Sequence, residues 1–122
     1  MKLRAVILFL FLASAALAER WVLPCEGRSM LPVLPEQCYV TVEIRDFAES
    51  RVGHVIVFIA WGGRRVCHEI VRINPDGSRV TKGAGNAGED TLPVTRERFI
   101  GIVTGYARAD RPDLMLPLED AR

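Results

Sequence analysis

"HVIVFIA" spans His54 to Ala60 and "RRVCHEIVRI" spans Arg64 to Ile73, with Gly62 and Gly63 between them. Two apolar runs joined by Gly-Gly read as a β-hairpin, because glycine supplies the positive-φ backbone that a tight reversal needs. Upstream, "YVTVEI" (Tyr39 to Ile44) is β-branched and alternating, which predicts a strand. Downstream, "NPDG" at 74–77 is a turn sequence, and "SRVTKG" leads out of it as another strand. "AGNAGED" (Ala84 to Asp90) is a glycine-rich loop, and "RFIGIVTGYA" (Arg98 to Ala107) is a last strand whose glycines allow a bend. The tail "RPDLMLPLEDAR" is broken by proline and reads as a surface arm. No sustained 3.6-residue periodicity occurs outside the N-terminus. The expected fold is mainly β: one small domain of short antiparallel strands.

Residues 1–18 stand apart. Lys2 and Arg4 precede fourteen uncharged residues, Ala5 to Ala18, that end in Ala16-Leu17-Ala18. A basic start, an apolar stretch and a small-x-small ending describe an export signal. As a helix the stretch spans about 21 Å, against a hydrocarbon core of about 30 Å. A cleaved signal peptide is therefore the first reading, and a short anchor over residues 5–18 the second. With either, the domain at 19–122 faces the periplasm or exterior, soluble if the leader is removed.

Sixteen basic and fifteen acidic residues leave a net charge of +1. That balance gives no electrostatic case for nucleic acid. Cys25, Cys38 and Cys67 would lie in an oxidising compartment, where one intramolecular pair at most can form. Cys25 and Cys38 flank the stretch 27–34, so a bridge between them would staple that loop. Three buried unbonded thiols are the other reading. Neither C-x-x-C nor H-x-x-x-H is present, so no zinc site and no other metal or cofactor is implied.

Acid–base chemistry near neutral pH has few candidates: His54, His68, and Lys82 beyond the N-terminal segment. Beyond residue 18 the serines are Ser29, Ser50 and Ser78. A serine hydroxyl becomes a nucleophile only when a base takes its proton and a third group orients that base. On strand alternation His68 shares a face with Val66, Ile70 and Arg72, and Cys67 points the other way with Glu69 and Val71. A histidine on a mostly apolar face is biased toward the neutral form that a base requires.

Taken in order, five short segments resemble one family. "GRSMLPVL" (Gly27 to Leu34) is similar to the S-M-x-P-T-L box of type I signal peptidases, with Val33 at the threonine position. "VGHVIVFIA" (Val52 to Ala60) resembles its G-D-V-V-V-F strand, with His54 at the aspartate. "VCHEIVRI" (Val66 to Ile73) is similar to H-R-I/V-V-R-I of the endoplasmic-reticulum and archaeal branch, where histidine replaces the lysine of most bacterial enzymes. "TKGAGNAGED" (Thr81 to Asp90) resembles T-K-G-D-x-N-x-x-x-D, with Ala84 at the first acidic position. "FIGIVTGY" (Phe99 to Tyr106) resembles the closing strand.

The resemblance implies the β fold shared by signal peptidases and SOS-repressor peptidases, and a serine endopeptidase. Ser29 would be the nucleophile, His68 the general base and Asp90 the residue that orients it. The Ser29 backbone N–H would serve the oxyanion, with Pro32 restricting the turn and Leu31 before it. Met30, Pro32 and Leu34 are the candidate substrate contacts. The partner would be an exported preprotein or one dedicated exported substrate, bound as an extended strand, with a membrane surface as a second partner. SOS-type repressor peptidases share G-x-S-M but are cytosolic and use lysine, against the export segment and His68 here. Val33 and Ala84 support a non-enzyme alternative, an exported β-domain that binds or assembles other proteins.

Overall fold

A computed structural model describes residues 19–118. The expected export segment at 1–18 and the last four residues lie outside the described part. Seven strands form one antiparallel sheet: β1 Arg20–Glu26, β2 Gln37–Glu43, β3 Val55–Ile59, β4 Arg65–Ile73, β5 Arg79–Lys82, β6 Phe99–Arg108 and β7 Leu116–Pro117. The order across it is β1-β2-β6-β3-β4-β5, with β7 pairing β6. Among the described residues no helix is long and apolar enough to cross a membrane.

The hairpin read from Gly62-Gly63 is present. Ile59 pairs Arg65 at its end, and Gly62 and Gly63 adopt φ of 81° and 78° in a 3-10 turn, Trp61–Gly63. β3 reads as an unbroken apolar run because both of its faces are covered. Val55 and Val57 join Met30, Leu34, Val40, Val42 and Val103 in one core cluster. Ile56 and Phe58 join Phe47, Ile70, Val94 and Ile102 in the other.

Two features escape the sequence reading. β1 carries Pro24 and has exposed Trp21 and Val22, so it lacks the burial that makes strands legible. Proline is tolerated there because β1 is an edge strand. The expected surface arm also contributes a strand, since Leu116 and Pro117 pair Tyr106 and Gly105. A Cβ on Gly105 would sit 2.9 Å from the Leu116 carbonyl oxygen, so this glycine admits the tail instead of simply bending β6.

Candidate active site

Ser29 lies in the β1–β2 connection, which closes where Gly27 N donates to Glu36 O at 2.9 Å. Gly27 has φ +114°, a backbone that L side chains rarely adopt, so glycine is the fitting residue two positions before the serine. Leu31 N donates to Arg28 O at 3.1 Å and Leu34 N to Met30 O at 2.9 Å, and the Leu31–Pro32 peptide is cis. Met30 and Leu34 are 4% and 1% exposed and anchor the turn in the core. Both also line the cleft described below, whereas Pro32 lines a second, shallower surface hollow that shares Arg28 and Ser29 with it.

His68 sits in the middle of β4, buried, its ring edge-on to Phe58 at 6.2 Å. Its Nε2 is 3.1 Å from Ser29 Oγ and its Nδ1 is 2.6 Å from Asp90 Oδ2. A carboxylate at Nδ1 calls for a proton there, which leaves Nε2 as the acceptor for the serine hydroxyl. Asp90 is fixed in turn by Thr81. The Thr81 hydroxyl donates to Asp90 Oδ2 at 2.7 Å, and Asp90 N donates to Thr81 O at 2.8 Å. Thr81 is wholly buried on β5, which pairs with β4 from Glu69 onward. The three residues singled out in the sequence thus form one hydrogen-bonded chain across 61 positions, from 29 to 90.

The glycine-rich loop braces the serine from outside. Gly85 N donates to Ser29 O at 2.8 Å, and Ala84 N to Met30 Sδ at 3.4 Å. A Cβ on Gly83 would lie 2.6 Å from Ser29 O, and one on Gly85 2.9 Å from Leu31 O. Thr81, Gly83 and Gly85 are therefore site residues that sequence alone did not single out, although "TKGAG" carried the signal. Ala84 and Val33, the two departures from the family pattern, both pack against the core cluster.

The rival bases lie elsewhere. His54 Nδ1 accepts from Arg51 N at 3.1 Å, and Lys82 Nζ donates to Gly83 O at 3.3 Å. Glu89, beside Asp90, turns out to Arg72 at 3.0 Å. Among the described residues no acceptor takes the Ser29 N–H, which keeps that donor available at the cleft. The cleft has a volume of about 660 Å³ and runs between β1 and the first half of β4, with Ser29 and His68 in its wall. Of the two readings for the cysteines, the Cys25–Cys38 bridge is not formed and the thiols are unbonded. All three cysteines are free thiols, and Cys25 and Cys38 stand directly opposite each other on β1 and β2.

Over 67 residues the chain is 37% identical to signal peptidase I W of Bacillus subtilis (strain 168), covering 52% of this chain and 35% of that protein. The chain is similar to a signal peptidase I. It spans about a third of the length of that relative. No protein-family profile matches the chain, and no solved structure does.

Proposed function

We propose that the chain is a type I signal-peptidase-like serine endopeptidase that uses histidine as its base, as in the branch its "VCHEIVRI" segment resembles. The observation that carries this reading is the continuous chain Ser29 Oγ, His68 Nε2, His68 Nδ1 and Asp90 Oδ2, at 3.1 and 2.6 Å. His68 takes the Ser29 proton as the hydroxyl oxygen attacks the scissile carbonyl, and then gives it to the leaving amine. Asp90 holds the tautomer and stabilises the imidazolium that forms. The Ser29 N–H is the donor this reading assigns to the developing oxyanion, and one such donor is worth about 2.7–4 kcal/mol in other serine proteases. Water, activated by the same histidine, then releases the acyl group.

Substrate mode follows from the strand edges. β1 has a neighbour on one side only, and Arg65–His68 of β4 extend beyond the pairing with β5. Four antiparallel pairings separate β1 from β4, so the two cleft walls run parallel. An extended peptide laid between them would satisfy both unpaired edges. The cleft is of mixed polarity, with Glu26, Arg28, Arg64 and Arg65 in its lining, and its apolar residues Leu23, Met30, Val40 and Val66 suit an exported preprotein with small residues at the cleavage site. Trp21 and Val22 at the start of β1, and Trp61 just before β4, lie at the same end of these parallel walls and are 51%, 59% and 85% exposed. Tryptophan and valine at that end, continuous in sequence with the apolar segment 5–18, support action at the outer face of a membrane.

A fluorophosphonate probe tests the reading. The wild type becomes labelled at Ser29, while Ser29→Ala and His68→Ala do not. Absence of labelling in a folded wild-type protein that also cleaves no preprotein would refute it.

A further inference from the structure

Two thiols, Cys25 and Cys67, line the cleft, and a third, Cys38, lies in the core cluster beside them. Cys38 and Cys67 belong to one core cluster against which Cys25 packs, and Cys25 on β1 stands directly opposite Cys38 on β2. Cys38 and Cys67 are buried, at 3% and 8% exposure, whereas Cys25 is half-buried. Cys25 and Cys67 both line the cleft, on opposite walls, and Cys67 adjoins His68.

We propose that Cys25 is a thiol–disulfide exchange site within the substrate cleft, resolved by Cys67, so that oxidation ties wall β1 to wall β4.

The accessible thiol is the one favoured to attack. Hydrogen bonds from the Cys38 and Cys67 thiols hold the Cys25 sulfur as thiolate well below the ordinary thiol range, and the same contacts push Cys38 and Cys67 up. The Cys25 thiolate attacks a low-molecular-weight disulfide of the glutathione class, forming a mixed disulfide and expelling one thiolate. Cys67 then attacks the Cys25 sulfur, its proton passing to a released thiolate, and expels the second thiol. Two protein thiols become one disulfide, and the external disulfide becomes two thiols.

Ladder geometry favours Cys67 over Cys38 as the resolving group. Gly27 N to Glu36 O and Ile44 N to Glu19 O mark hydrogen-bonded pairs of the β1–β2 ladder, so by alternation Cys25–Cys38 is one as well. The Cβ atoms of such a pair stand about 5.5 Å apart, and a disulfide needs about 3.5–4.5 Å. β1 and β4 share no ladder, so no hydrogen-bonded register fixes the separation of Cys25 and Cys67. A strand inserted between two walls holds them about 9.5 Å apart, twice the inter-strand spacing, whereas a disulfide holds its Cα atoms within about 6.8 Å. The bridge and a bound substrate strand are therefore mutually exclusive at this level. This consequence for substrate, though not the exchange chemistry, rests on the peptidase reading.

The full-length protein is incubated with oxidised glutathione and mapped by peptide mass spectrometry without reduction. A Cys25–Cys67 cross-link, reversed by dithiothreitol, is expected, and Cys67→Ser should accumulate glutathione on Cys25. A Cys25–Cys38 cross-link alone, or no modification of Cys25, overturns the proposal. Fluorophosphonate labelling of Ser29 should fall about tenfold or more on oxidation and return on reduction. Labelling that is unchanged in cross-linked protein overturns the gate. If Ser29 never labels, even reduced, the peptidase reading fails, and the mapped cross-link still decides the exchange site.

Discussion

Asp90 Oδ2 accepts two hydrogen bonds at once, from His68 Nδ1 at 2.6 Å and from the buried Thr81 hydroxyl at 2.7 Å. The carboxylate is thus placed by β5, and the imidazole is placed by the carboxylate. Asp90→Asn should keep the fold and invert the tautomer. An amide N–H facing Nδ1 forces the proton onto Nε2, where it opposes the serine hydroxyl. The Ser29 labelling rate should drop by up to about 10⁴-fold, with unchanged circular dichroism. Thr81→Val should cost less, about tenfold, by removing one hydrogen bond that orients the carboxylate. Equal rates in all three proteins would remove Asp90 from the mechanism.

Gly83 touches the serine turn backbone to backbone. The Cβ of Gly83→Ala would meet Ser29 O and Asn86 Nδ2, each at 2.6 Å, so the loop and the serine turn must shift relative to one another. A displacement of this kind costs about 10²-fold in rate. Gly88, in the same loop, has nothing within 4 Å of an added Cβ. Gly88→Ala should label like wild type, and a matched loss in both variants would point to general loop damage instead.

Cys25 should alkylate with an unusual pH profile. Its pKa lies below the ordinary thiol value because Cys38 and Cys67 donate to its sulfur. Thiolate is then present throughout the neutral range. Iodoacetamide modification at Cys25 should stay nearly flat over about pH 6–8, where an ordinary thiol gains about tenfold per unit. Cys38→Ala removes the larger contribution, so the profile should regain a rising slope. A wild-type rate that climbs tenfold per unit contradicts the thiolate assignment.

Leu34 fastens the serine turn to the core at 1% exposure. Leu34→Ala should destabilise by about 2–5 kcal/mol. For a domain of this size each kcal/mol lowers Tm by about 4–8 °C, which calorimetry would read. Labelling at a temperature where the variant is still folded should also slow, because Leu34 and Ser29 line the same cleft. An unchanged Tm would mean that the turn does not depend on this anchor.

The amino-acid sequence by itself determined the strands that bury a face or bear turn signals. β3 is apolar throughout, Gly62-Gly63 supplies a reversal, and Asn74 to Gly77 supplies another, all of which are local properties of the chain. "GRSMLPVL", "VCHEIVRI" and "TKGAGNAGED" singled out Ser29, His68 and Asp90 through their resemblance, in order, to segments of type I signal peptidases. Tertiary structure alone decided what those residues do to one another. β1 was illegible because an exposed edge strand lacks alternation, and β7 exists only because Gly105 leaves room for the tail. The bracing by Thr81, Gly83 and Gly85 depends on β5 running beside β4 and carrying the loop onto the serine turn. The thiol cluster arises the same way: Cys25 and Cys67 are 42 positions apart, and only the curvature that brings β1 opposite β4 makes them neighbours. Local sequence sets which backbone each segment adopts, and hydrogen-bonded register then sets which side chains meet.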